Sequence, residues 1–318
     1  MKIDYRVRER GVEIVRCFGA DSCVYLPGQI RGIPVTGIAA YAFSDRKEKE
    51  DEDVCEYISG SGILSGDTEV PQTGTKIECV EFPDSLEAIG DYAFYGCKNL
   101  QVLKFSNRLL QIGRGAFTGC SGLGQLHVRM LKGEKSCVKE ILGELWQRID
   151  VAFSYEDQRD AYFVFPEHYE EAVENTPARI LFTQHHGSGN HYRQCFYDKE
   201  LDCDKYDALF SVAKAQDKIQ VLSDLVFGRL CYPRGLTQTA CIRYENFVRE
   251  RQREVAGYLV SADRIEALAQ FGKRKLWTRE GIDAALEAAS EYKRKEAMSI
   301  LMEEKHRFFP ARKKKFVL

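Results

Sequence analysis

Nine residues in this chain recur at a step of 23. Ile89, Gly90, Ala93, Phe94, Gly96, Cys97, Leu100, Leu103 and Phe105 are answered by Ile112, Gly113, Ala116, Phe117, Gly119, Cys120, Leu123, Leu126 and Val128. A fixed period of that length signals a solenoid, in which each winding is one supersecondary unit. A single winding cannot bury its own apolar side, so stacked neighbours stabilise one another. The prediction that follows is specific: Val80, Leu103 and Leu126 lie one above another.

The register extends in both directions. Ile77, Val80 and Phe82 stand 23 positions before Leu100, Leu103 and Phe105, and one step past Leu123, Leu126 and Val128 come Trp146, Ile149 and Val151. The segment before this fourth triplet, SCVKEILGELWQRI, reads as helical, so the last winding is expected to be modified. The triplets follow the L-x-x-L-x-L pattern of leucine-rich repeats. In each, the last two apolar residues are two apart and point to one side of a short strand, while Cys79, Glu81, Val102, Lys104, Gln125, His127 and Arg129 point to the other. Stacked strands then form a narrow parallel sheet with one open face. Phe94 and Phe117 are expected to fill the interior, with glycines permitting the bends.

Earlier, VYLPGQIRGIPVTGIAAYAFS at 24–44 carries the same ingredients, and YRVRERGVEIVRCFG before it reads as a hairpin turning at Arg10-Gly11. On Ile33-Pro34-Val35-Thr36-Gly37-Ile38 and the Ala-Phe pairs at 42/43, 93/94 and 116/117, residues 3 to 130 resemble the N-terminal cap and repeats of BspA-type leucine-rich-repeat proteins. The resemblance implies a binding scaffold without catalysis of its own; many relatives are surface adhesins.

Between Phe43 and Ile77 the register breaks. DRKEKEDEDVCEYISGSGILSGDTEVPQTGTK is charged first and Gly/Ser/Thr-rich afterwards, and reads as a solvated mobile loop inserted at 44–76. Its other reading is an acidic arm that docks a basic partner. The formal net charge of -2 over 318 residues gives no general attraction to nucleic acid or anionic membrane. The charged N-terminus and the lack of any run of 18 apolar residues point to a soluble, cytoplasmic chain with no membrane contact. Eleven cysteines, an odd number with several at repeat positions, read as reduced thiols rather than disulfides.

Residues 156–204 are expected to link two halves. They hold a strand at 162–165, a short helix around 167–174 and a strand-like Arg179 to Phe182. His185, His186, His191, Cys195 and Cys203 put five metal-capable side chains in one window, yet their spacing matches no usual zinc signature. The preferred reading is a turn on Gly187-Ser188-Gly189-Asn190 with exposed histidines and core thiols. A phosphate cradle on the same glycines lacks the Lys-Ser/Thr that should follow. The enzyme alternative places a site in 185–207, with Ser188 or Cys195 as nucleophile, His191 as base and Asp198 or Asp202 as its partner.

From Tyr206 the apolar spacing becomes three or four, predicting helices over 206–215, 217–231, 239–262, 263–272, 278–293 and 295–307, with Asp263 and Thr278 as N-caps. The last of these resemble ankyrin-type helix pairs; an ordinary bundle is the alternative. The tail at 309–318 is basic, and its contact with RNA is a further alternative to packing on the helices. The fold class expected is α+β: a leucine-rich-repeat solenoid with a hairpin cap over 1–155, then a helical domain over 205–308. The expected function is a non-enzymatic protein-binding scaffold, with no cofactor or metal, using Glu81, Lys104, Gln125, His127 and Arg129 on the open sheet face.

Overall fold

The computed structural model describes residues 1–46, 53–58, 70–175 and 180–310. Its chain divides into two units, Met1–Tyr206 and Asp207–Leu318.

The first unit opens with a hairpin, β1 (Lys2–Arg8) antiparallel to β2 (Gly11–Phe18), with Arg8 opposite Gly11. Two sheets follow from the winding of the chain. One takes its strands from the apolar triplets: β3 (Cys23–Tyr25), β7 (Cys79–Glu81), β9 (Val102–Ser106), β11 (Gln125–Met130) and β12 (Ile149–Tyr155), all parallel, closed by the antiparallel β13 (Ala161–Phe165). The other joins the hairpin to β5 (Ile33–Ile38), β8 (Ala88–Ile89) and β10 (Gln111–Ile112), with the short β4 (Gln29–Ile30) beside β5. Each winding supplies a strand to the first of these sheets, so five windings stack.

The register confirms the stacking. Val24, Val80, Leu103, Leu126 and Val151 are consecutive cross-strand partners, and each is at most 1 % exposed. Behind them the rings of Phe43, Phe94 and Phe117 stack at 4.7 and 5.3 Å with interplanar angles of 9° and 3°. Cys97 Sγ donates to the carbonyl of Phe43 at 3.3 Å, and Cys120 Sγ to that of Phe94 at 3.2 Å, so the repeated cysteine ties each winding to the one before. Burial pushes both thiols up, Cys97 to about 12, which keeps them protonated as donors. A Cβ at Gly113 would lie 2.4 Å from the backbone of Gly90 and Asp91, so the repeated Ile-Gly marks where windings touch main chain to main chain.

Three sequence expectations for this unit's strands and insertion are corrected. First, β12 pairs with β11 as Leu126 to Val151 and Val128 to Phe153, a step of 25 rather than 23. The helix α1 (Val138–Gly143) lengthens this winding, and Trp146, expected inside, is 55 % exposed. Second, the insertion is more than a loop: β6 (Cys55–Ile58) adds an antiparallel edge strand to β1, and Gln72 and Thr73 are buried. Residues 47–52 of the charged run and 59–69 lie outside the described residues. Third, the helix expected around 167–174 is a strand, β14 (Tyr169–Asn175), paired antiparallel with β15 (Ile180–His186); the Tyr169 and His186 rings stack at 4.5 Å. Arg179 lies outside the described residues.

After β15 come α2 (Gly189–Tyr192), the hairpin β16 (Phe196–Tyr197) and β17 (Glu200–Leu201), and α3 (Cys203–Ala208). Arg193, next to α2, is 6 % exposed and donates to five carbonyls: Leu142, Leu145, Gln147, Pro166 and Gly189, at 2.6 to 3.2 Å.

The second unit holds α4 (Phe210–Gln216), α5 (Ile219–Cys231), α6 (Gln238–Glu250), α7 (Gln252–Ser261), α8 (Ile265–Lys273), α9 (Arg279–Glu291) and α10 (Lys295–Phe308). The single helix expected over 239–262 is two, broken at Arg251. The turns joining α7 to α8 and α9 to α10 are equivalent: Asp263 and Lys293 take φ of 57° and 55°, and the amides of Arg264 and Arg294 return to the carbonyls of Leu259 and Ala289. Thr278 caps α9 by accepting from Gly281 N at 3.0 Å, as the sequence suggested, and Thr237 caps α6 in the same way. Asp263 is not a cap; it sits in the turn and faces Arg294 at 3.5 Å. At the centre, Arg229 is 0 % exposed, its guanidinium fork on Asp207 at 2.9 and 3.1 Å, and Tyr244 Oη donates to the same carboxylate at 2.7 Å.

Candidate functional site

Because neighbouring strands are in register, the outward side chains of the parallel sheet fall into rows. Tyr25, Glu81, Lys104, His127 and Ala152 are successive partners in one row. Cys23, Cys79, Val102, Gln125 and Asp150 make the next. Arg129 lies beyond, between Ser106 and Ser154. The inward residues of the same strands are buried, so this outward side is the sheet's polar face.

Its charges are paired within the face. Lys104 Nζ lies 3.3 Å from Glu81 Oε2, Arg129 Nη1 lies 2.6 Å from Asp84 Oδ2, and Arg148 grips Asp150 with two bonds at 2.8 and 2.9 Å. Tyr162 Oη adds a third bond to Asp150 at 2.8 Å. The exposed pairs of Lys104 and Arg129 contribute about 0–1 kcal/mol to stability; with the half-buried Arg148–Asp150 pair, they hold long side chains in fixed positions. Glu81, Asp84, Lys104, His127, Arg129 and Ser154 line a shallow depression of about 140 Å³.

Four of the five residues chosen from the sequence thus meet around one depression, while Gln125 is exposed one row away. Sequence reasoning missed Asp84, because it follows the last alternating position of its strand, and Ser154, because the fourth repeat was placed two residues out of register.

The imidazole of His127 is held below its ordinary value, first by burial among its neighbours and then by the Lys104 charge. A base whose folded pKa is depressed binds protons better when unfolded, so this group's contribution to stability falls as pH drops through the ordinary histidine value of about 6.5. The ring is expected to titrate below that value in an NMR pH series. Lys104→Met should raise its midpoint, and an unmoved midpoint would remove Lys104 as a cause.

Several of the polar residues named for a site in 185–207 are held by other partners. His185 faces Glu170 at 3.3 Å, His186 faces Glu171 at 3.1 Å, Asp198 pairs with Lys135 at 2.5 Å, and Asp202 accepts from the backbone amide of Lys205. His191 is exposed on α2, and Cys195 is buried with its thiol 3.8 Å from the His191 carbonyl. His185 and His186 end β15 just before the expected turn, whose Gly189 and Asn190 open α2. Among the described residues no three His, Cys, Asp or Glu side chains converge as a metal site would require, and no helix is long and apolar enough to cross a membrane.

Comparison with known families agrees with the repeat region. Residues 72–134 match the model of the BspA type leucine rich repeat region, in 6 copies. The match does not extend to the helical half, and the ankyrin-like reading of that half is not confirmed. No curated protein matches the chain. Among solved structures, a leucine rich cell surface protein from Faecalibacterium prausnitzii is similar at 20 % identity and a TM-score of 0.27, over 42 % of this chain and 29 % of that one. The leucine rich repeat protein of T. pallidum is similar at 23 % identity and a TM-score of 0.21, over 42 % of this chain and 72 % of that one. Leucine-rich-repeat proteins, which residues 72–134 resemble, commonly mediate protein–protein interaction.

Proposed function

We propose that the protein is a non-enzymatic scaffold that binds another protein through the open face of its repeat sheet. The observation that carries this reading is the in-register row of Tyr25, Glu81, Lys104 and His127 above a buried apolar row. A stiff backbone presenting pre-positioned side chains loses little conformational freedom on binding, and affinity then comes from a few central contacts rather than from area. Tyr25, 60 % exposed at the sheet edge, supplies the aromatic anchor, and the paired charges around the depression supply specificity. The helical unit is the place for a second partner. A cytoplasmic setting fits the cysteines, which act in the core as thiol donors rather than as disulfide halves.

The test is affinity capture with the full chain and with Lys104→Glu/Arg129→Glu. Both side chains are exposed, so the variant should melt within a degree or two of the parent while losing at least tenfold in recovery of a specific partner. A variant that captures the same proteins equally well would remove this face from the account. Among the described residues, the bonds of His185, His186, Asp198 and Asp202 to separate partners favour this reading over a site in 185–207.

A further inference from the structure

One row of the open face carries two thiols side by side. Cys23 opens β3 and Cys79 opens β7, and the parallel register makes them direct partners. Each is half-buried, and both point away from the core, since the next residues, Val24 and Val80, are 1 % and 0 % exposed. Cys23 is close enough to Cys79 to push its thiol pKa up. Neighbouring strands run about 4.8 Å apart, inside the Cα separation of about 4.4–6.8 Å that disulfides accept. Side chains at paired positions of parallel strands project the same way, so the two Cβ atoms start about 4.8 Å apart and must close by a few tenths of an ångström to enter the range of about 3.5–4.5 Å that disulfides accept.

We infer that Cys23 and Cys79 form a reversible dithiol–disulfide site on the open face, closed by a hydroperoxide-class oxidant. The reaction balances in two steps. One sulfur attacks a peroxide oxygen, the O–O bond breaks, and a sulfenic acid and one water result. The second sulfur then displaces hydroxide from the sulfenic sulfur, the S–S bond forms, and a second water leaves. Two thiols have lost two electrons and two protons, and one peroxide has become two waters.

The surroundings set how readily this happens. Burial and the adjacent Cys23 push the Cys79 thiol up to about 11, so its thiolate is scarce at neutral pH and closure quickens as pH rises toward that value. The core thiols do not compete: Cys17 and Cys97 are 0 % exposed and held up to about 12 by burial. Closure would staple the first winding to the second, the one junction of the stack that the 44–76 insertion interrupts, and would fix the spacing between Tyr25 and Glu81 at the edge of the face. The inference stands whether or not that face binds a protein.

The experiment uses the full chain carrying Cys55→Ser, because Cys55 is the exposed thiol that would join two molecules. Ten cysteines then remain of the eleven in the chain. Stoichiometric hydrogen peroxide is expected to lower the denatured thiol count from ten to eight, reversibly with dithiothreitol. Non-reducing tryptic mapping should show residues 17–31 joined to 77–98. Cys23→Ser and Cys79→Ser must each abolish that product, which separates it from a bond through Cys17 or Cys97. Phenylarsine oxide, which bridges paired thiols without oxidant, should bind one equivalent to the reduced protein and none to either serine variant. A peroxide-treated protein in which Cys23 and Cys79 are oxidised separately, or in which other cysteines pair, overturns the assignment, as does arsenical binding unchanged in the serine variants.

Discussion

Asp207→Ala is expected to destabilise the helical unit by about 3–5 kcal/mol, the cost of stranding a buried charge. Arg229 is fully buried, and the Asp207 carboxylate takes both arms of its fork as well as the Tyr244 hydroxyl. Without the carboxylate, the guanidinium loses its charged partner while its bonds to the carbonyls of Tyr232 and Arg234 stay. The measurement is hydrogen exchange resolved by peptide, in which amides of α5 and α6 should exchange faster by two orders of magnitude or more. An apolar replacement of the whole cluster, Asp207→Leu/Arg229→Met/Tyr244→Phe, should recover most of the loss, because no buried charge remains to be neutralised. A single substitution that costs less than about 1 kcal/mol would show that water reaches Arg229 and would contradict its burial.

Arg193→Ala should cost the first unit about 4 kcal/mol. The side chain satisfies five carbonyls in the segment where the last winding closes, and each buried acceptor left without a donor costs about 1–3 kcal/mol before water relieves it. Burial brings its pKa down to about 10, so it is still charged at pH 7. Arg193→Lys should recover less than half of the loss, since an ammonium has three donors and cannot reproduce the planar fork. The check is a urea titration of the full chain together with exchange in 138–155. If lysine restores the parent stability, a point charge rather than the five-donor geometry is what matters there.

Neither of these residues stood out in the sequence, and the reason is physical. Four of the five carbonyls that Arg193 binds are 27 to 51 positions away, and carbonyls have no sequence signature. Asp207 and Arg229 are 22 positions apart on different helices, so no helical spacing connects them. The stacked rows, by contrast, were legible because one constraint is written repeatedly: Val80, Leu103 and Leu126 must each fill the same interior layer. The reading failed where the constraint loosened. Helix α1 put two extra residues in the last winding, moving Trp146 outside and Ser154 onto the face. Tyr169-Glu170-Glu171-Ala172-Val173 is rich in residues that suit a helix, but Tyr169 stacks on His186 and the Glu170–His185 and Glu171–His186 pairs form across the strands, so pairing overrode propensity. On the face, alternation identified which side each residue takes, whereas the partners Asp84 and Arg148 came from outside the alternating stretches.

The identical pitch of the windings at Val80, Leu103 and Leu126 makes length an adjustable quantity. Duplicating or deleting one 23-residue cassette in the middle of the stack would leave both termini of the solenoid with the neighbours they have now, while widening or narrowing the grip by one strand spacing, about 4.8 Å. Recombination within a single gene could therefore change the width of the sheet face without inventing a new surface.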